Sequence, residues 1–180
     1  EIAIFNGDGT TQPTGILKDT RVPSTNVITM TPEEFASWDG WHKKVKAKMK
    51  KAYRDGEFIM AQGTFDGHID GMTDKNGQPI GRINYGLNGE ENYRFMGKTV
   101  ETVEDECIAS WDDANVGDVV AVFVKLSDYG VNTNMQMTTV KWVDNDNNEL
   151  KNKCIMALDG KLIDPNGVLI IKKGESTVSA

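Results

Sequence analysis

Histidine, cysteine and proline are scarce in this chain of 180 residues, which holds two, two and five of them. The histidines, His42 and His68, stand without a Ser/His/Asp spacing or a GxSxG elbow, so no hydrolase triad is legible. Cys107 and Cys154 lie far apart, with no CxxC pair and no Cys/His cluster, which argues against structural zinc and against a disulfide scaffold. None of the glycine clusters spells GxxxxGK[ST], which excludes a phosphate-binding loop of that kind. No run approaches the roughly 20 apolar residues a membrane helix requires, and no signal-peptide pattern opens the chain. Positive charge is in deficit: 20 Lys and Arg face 27 Asp and Glu, a formal net charge of −7. A protein that coats nucleic acid needs the opposite balance, although a local basic patch stays open. Hydrophobic content of 38% and a mean hydropathy of −0.45 lie on the polar side, short of a disordered composition. The length suits one ordinary domain, or two small ones sharing a core.

Glycine, by contrast, is abundant at 18 residues, and turn signals recur. Asn6-Gly7-Asp8-Gly9, Lys75-Asn76-Gly77 and Pro165-Asn166-Gly167 are turns, because Asn and Gly reach positive φ cheaply. Ile2, Ala3, Ile4 and Phe5 read as the end of an apolar element whose beginning lies elsewhere, and Glu1 is not an initiator Met, so the chain reads as a piece of a longer one. The strongest helix signal is 32–53. Thr31 caps it, Pro32 suits the first helical position and Glu34 completes a capping box. Phe35, Trp38, Val45, Met49 and Ala52 then form one apolar stripe, widened by Trp41. Asp55-Gly56 stops it. Strands are expected at 57–62, 82–85, 95–103, 119–125, 131–143, 154–163 and 168–172, with a short helix over 65–72 and loop through most of 77–89. Residues 119–125 read as the most buried strand. Helix and strands mixed, then mostly strands, make an α+β chain.

No constellation for catalysis, a cofactor or a metal emerges. His68, between Asp66 and Asp70, reads as a solvated polar face, and His42 as the border of the helix. Asp144, Asp146, Asn148 and Glu149 look like a calcium loop only superficially, since Glu149 stands where the turn needs Gly and Ile155 where it needs Glu. Charge segregation says more. Six lysines (43, 44, 46, 48, 50 and 51) crowd the helix, whereas seven acids and no Lys or Arg lie between Thr99 and Val124. Complementary patches of this kind register protein–protein contacts. Lys43, Lys46, Lys50 and Lys51 on one side, and Glu101, Glu104, Asp105 and Glu106 on the other, are the candidate subunit-interface residues. No aromatic platform interleaves the lysines, which argues against nucleic acid as their partner.

Several segments in order resemble the C-terminal part of a tailed-bacteriophage major capsid protein with the Hong Kong 97-type fold. Asn6-Gly7-Asp8-Gly9-Thr10-Thr11-Gln12-Pro13-Thr14-Gly15-Ile16-Leu17 is similar to the run that follows that family's spine helix. Residues 57–72 leading to Asp74-Lys75-Asn76-Gly77-Gln78-Pro79-Ile80 resemble its strand, Thr-led short helix and loop. Phe95-Met96-Gly97-Lys98-Thr99-Val100 matches a further strand, and Val116-Gly117-Asp118 precedes an apolar strand, two long strands and a Lys-bearing terminus. The tract 81–94 and the acidic stretch through Asp113 depart from the family pattern by their length and composition.

The resemblance implies that the N-terminal arm, the extended hairpin loop and the spine helix lie ahead of this chain. It implies a peripheral-domain remnant at 1–25, an axial domain at 26–128 and peripheral-domain strands at 129–180. It implies a structural protein of a phage or prophage virion, not an enzyme, that assembles in the host bacterial cytoplasm into pentamers and hexamers around DNA. DNA would be met only by non-specific proximity, no cofactor or membrane is involved, and the piece by itself would be monomeric. Asn152 falls near the place where some relatives crosslink to a hairpin-loop lysine. Two other classes are a cellular nanocompartment shell and a small β-rich ligand-binding module, the latter if Trp38, Trp41, Trp111 and Trp142 are exposed.

Overall fold

The structure is a computed structural model that describes residues 2–86, 91–144 and 146–176. A short helix α1 (Ile2–Asn6) leads through a segment of turns and bends to strand β1 (Val27–Met30). Helices α2 (Pro32–Phe35) and α3 (Trp38–Gly40) follow, then a π-helical turn (Trp41–Val45) and a 3-10 turn (Lys46–Lys48). Next come β2 (Glu57–Ala61), α4 (Gln62–Thr64), β3 (Gly81–Tyr85), β4 (Glu91–Phe95), β5 (Lys98–Val103), β6 (Val119–Val124), β7 (Tyr129–Asp144), β8 (Glu149–Leu162) and β9 (Leu169–Lys173).

Seven strands form one sheet in the order β1-β9-β6-β2-β5-β4-β3. The β1–β9 and β2–β5 pairs are parallel and the others antiparallel. Strand β6, reading Val-Val-Ala-Val-Phe-Val, lies inside the sheet between β9 and β2 with its last five residues buried. It therefore has no polar alternation: side chains on both faces meet hydrophobic layers. On one face Phe58, Met60, Ala121, Phe123 and Ile171 pack under Phe35, Trp41, Val45 and Trp111. On the other, Ile59, Val122, Val124 and Ile170 meet Phe5, Ile16, Ile108 and Leu162. The first layer is aromatic: Phe35 stacks on Trp111 at 3.8 Å between centroids, and Trp41 meets Phe95 edge-on at 4.9 Å. Such pairs add roughly 0.5–1.5 kcal/mol each beyond the area they bury.

The expected helix 32–53 starts as the sequence dictates, with Thr31 and Glu34 closing a reciprocal capping box, but it is not continuous. Ser37 is extended (φ −114°, ψ 140°) and its hydroxyl caps a new start by accepting from the Gly40 amide at 3.1 Å. The Trp41 indole N–H donates to the Phe35 carbonyl at 2.6 Å, occupying the acceptor that an uninterrupted helix would use for its own ladder. At the far end Met49 and Lys50 turn extended (ψ 109° and 144°), which buries Met49 and ends the run. Burying Trp41 and Met49 together outweighs helix propensity here. Ala52, placed on the apolar stripe by the spacing, is exposed.

The remaining expectations fare better. The short helix lies at α4 and the π turn Phe65–Ile69 that continues it. The expected strand 95–103 is two, β4 and β5, turned at Met96 and Gly97, both with positive φ. Within 77–89 the extended segment expected at 82–85 is β3, and residues 87–90 lie outside the described residues. Strands β7 and β8 leave the sheet as a separate two-stranded hairpin, and β9 returns to it between β1 and β6. Sixteen residues at about 3.4 Å each make β7 a ribbon of roughly 50 Å. Its base is anchored: the Thr14 amide donates to the Gly160 carbonyl at 2.8 Å, and the Tyr129 hydroxyl to the Thr14 carbonyl at 3.1 Å.

Candidate subunit-interface residues

The broken helix scatters the lysine cluster. Lys43 pairs with Asp39 at 2.8 Å, both exposed, a contact of small energetic consequence. Lys44 is bound to Glu34 at 2.5 Å and to the Thr29 carbonyl at 3.1 Å. Lys48 donates to the Thr25 carbonyl at 3.0 Å and Lys50 to the Asn166 carbonyl at 3.3 Å. Their chain-internal role is to hold β1 and the 165–167 turn against this segment. Lys46 and Lys51 are exposed and without an ion pair among the described residues.

The acidic stretch divides in the same way. The Asp112 carboxylate lies 3.1 Å from the His68 ring, the Ser110 hydroxyl donates to Asp113 at 2.9 Å, and the Asn115 amide donates to Asp118 at 2.9 Å. The first ties this stretch to the 65–69 turn, and the other two close local turns. Glu101 on β5, and Glu104, Asp105 and Glu106 in the loop after it, are exposed and form no ion pair among the described residues. Asp105 and Glu106 face a groove of about 590 Å³ that Asn6, Lys18, Asp118 and Lys172 also line. Burial pushes the Glu57 carboxyl upward, and the charge of nearby Glu101 adds to the effect.

Two further cations belong with this set although the spacing did not single them out. Arg82 on β3 and Arg94 on β4 sit directly opposite each other and line a groove of about 340 Å³ with Lys46. The signal was present: the two arginines flank the turn symmetrically once 81–95 is recognised as a hairpin.

The tryptophans are not the open surface that a ligand-binding module would need. Trp41 is fully buried, Trp111 nearly so and Trp38 half-buried, leaving only Trp142 exposed. His42 stacks on Trp38 at 4.5 Å. At the tip of the hairpin Asp144 binds Lys151 and Asn147, which holds its carboxyl below the usual range. Cys107 is buried and Cys154 exposed on β8, and the two are not joined in a disulfide.

A family model described as the phage capsid family matches residues 1–173. The chain belongs to the phage capsid family. Among solved structures, the capsids of the native and the empty GTA particle are similar to it with TM-scores of 0.67 and 0.65. Each is 18% identical, over 96% of this chain and 60% of that one. The holo-SrpI encapsulin complex from Synechococcus elongatus is similar at a TM-score of 0.56 and 11% identity, over 92% of this chain and 58% of the other. No curated protein matches. At these identities the likeness is one of fold, and it is the α+β capsid fold that the motifs led us to expect, compatible with the Hong Kong 97 type. This capsid chain spans about 60% of the length of the GTA capsid chains.

Proposed function

We propose that the chain is the C-terminal part of a shell subunit that self-assembles, through its full-length form, into the pentamers and hexamers of an icosahedral virion enclosing DNA. Membership of the phage capsid family over 1–173 carries this reading. Two observations support it. The similar GTA capsids are described with five-fold symmetry. The hairpin β7–β8 exposes Val140 and Trp142 on one face and Val143 and Leu150 on the other, an arrangement suited to a ribbon that other segments cover in an assembly. The seven-stranded sheet, including β9, would then form the axial body, and α1 with β7–β8 the peripheral part. No group in the chain is needed for turnover; the work is assembly, in the host bacterial cytoplasm, with DNA met only as packaged content.

The likeness to encapsulin favours a second reading, a nanocompartment shell, which differs in enclosing protein cargo. Sedimentation velocity with negative-stain microscopy of the full-length gene product tests both. Closed particles containing nucleic acid are expected. Particles filled with a protein cargo would favour the second reading, and a product that stays monomeric under all assembly conditions would defeat both.

A further inference from the structure

The chain carries cations that its own acids do not answer. Arg82 and Arg94 are exposed and directly opposite across the antiparallel β3–β4 pair, where like charges destabilise a sheet. Neither guanidinium has an ion pair or hydrogen bond among the described residues, and neither has the Lys46 ammonium. All three line one groove, whose apolar part is Trp38, Ile80 and Met96. The Lys75 ammonium, 6.0 Å from the centre of the Trp38 ring, adds to the positive potential there. Three unneutralised cations over an apolar floor suit a short peptide bearing carboxylates, since guanidinium forks match carboxylate geometry in pairs.

The chain also carries the complement, in the wrong place to be used internally. Arg94 is opposite Thr99, near the start of β5, while Glu104, Asp105 and Glu106 follow the end of that strand. Five residues at about 3.3 Å each separate them by roughly 17 Å. Glu101, the nearest acid of the stretch, makes no ion pair with Arg94. The two patches therefore differ in position and sign. A contact that joins them is made between copies, and where it runs head-to-tail such contacts close into rings when the rotation permits.

We propose that the groove of Lys46, Arg82 and Arg94 receives the 104–106 loop (Glu104, Asp105 and Glu106) of a neighbouring copy of this chain. The proposal rests on the shell-subunit reading and names a contact within its rings. A nucleic-acid backbone is the competing ligand. It is disfavoured by the net charge of −7 and by the single, half-buried tryptophan in the groove, where a strand of bases would use several stacking surfaces.

The test uses the full-length protein, with particle formation read by sedimentation velocity across a salt series. Arg82→Glu with Arg94→Glu is expected to lose the particle peak, and so is Glu104→Lys with Asp105→Lys and Glu106→Lys. Both sets in one chain should bring it back, a recovery that misfolding cannot mimic. Single sets that assemble with the salt dependence of the unmodified protein would overturn the proposal, as would loss without recovery in the combined chain. Arginine variants that form normal shells with less nucleic acid inside would assign the groove to phosphate instead, and the proposal would fall. If the unmodified protein forms no particles, the shell-subunit reading itself fails and takes the contact with it.

Discussion

At the scale of single residues, the N-terminal loop shows why its glycines cannot be exchanged. Gly15 donates its amide to the Gly7 carbonyl at 3.0 Å, and a Cβ on Gly15 would lie 2.4 Å from the Phe5 carbonyl oxygen and 2.5 Å from the Gly7 nitrogen. Backbone, not a yielding side chain, fills that space. Between those two glycines, Asp8 accepts from the amides of Thr10, Thr11 and Gln12 and from the Thr11 hydroxyl, which holds its carboxyl well below the usual range. Gly15→Ala should destabilise the fold by at least the roughly 1–3 kcal/mol typical of overpacking, measured by equilibrium denaturation. Unchanged stability would contradict the close crossing.

Asp19 gives a residue-scale prediction with a pH axis. Its side chain is buried and takes three hydrogen bonds from Arg21, whose guanidinium also donates to the Leu162 carbonyl at 2.5 Å. The Arg21 side chain holds the Asp19 carboxyl below its ordinary value, against the opposing effect of burial. A depressed folded-state value means the stabilisation is present above the unfolded value of about 3.9 and disappears as pH falls through the folded one. Asp19→Asn should therefore lower stability at neutral pH and flatten the loss below about pH 4. Melting curves across pH 2–7 that run parallel for the two proteins would contradict this.

At the scale of elements, Thr31→Ala removes the hydroxyl that accepts from the Glu34 amide at 3.4 Å, and a lost cap of this kind costs about 1 kcal/mol. Urea titration should read a loss of that order. The cap was legible because Thr-Pro-Glu-Glu is a local chemical statement. The length of the helix was not. Apolar spacing through Met49 cannot report that the Trp41 indole takes the Phe35 carbonyl, or that Ser37 starts the chain afresh; both depend on what lies across the core. Strands fared better, since β2, β6 and β9 are apolar over most of their lengths and bounded by turns. Strand β4 escaped because Glu-Asn-Tyr-Arg-Phe carries little apolar signal and earns its place by pairing with β3 and β5. The same miss hid the Arg82/Arg94 pair. On the acidic side, the four candidates Glu101, Glu104, Asp105 and Glu106 are also the ones that the fold leaves without ion pairs. Of the four lysines expected with them, Lys43 and Lys50 are held within the chain.

The hairpin β7–β8 is the element whose environment should change most on assembly. Both of its faces carry exposed apolar side chains, and a two-stranded ribbon is marginal alone in water. Its backbone amides should exchange quickly in the separate 180-residue chain and slow by at least tenfold, about 1.4 kcal/mol, in assembled particles, while those of β6 are slow in both. Equal exchange in the two states would mean that the ribbon is not covered in the shell.

At the scale of the whole molecule, the physical division is between a body that is finished and a surface that is not. The seven-stranded sheet has a hydrophobic layer on each face and, among the described residues, no buried side-chain nitrogen or oxygen without a partner. Outside it lie a bare apolar ribbon, an unanswered cationic groove and an unanswered acidic loop. A protein that worked alone would have little reason to leave all three open, whereas a shell subunit needs such surfaces to find its neighbours. Cryo-electron microscopy of particles from the full-length gene product tests this account most directly. It should reveal a closed icosahedral shell in which the seven-stranded sheets gather around the five- and six-fold axes and the β7–β8 ribbon is covered. A product that forms no closed shell, or a shell whose density has no place for this sheet, would contradict it.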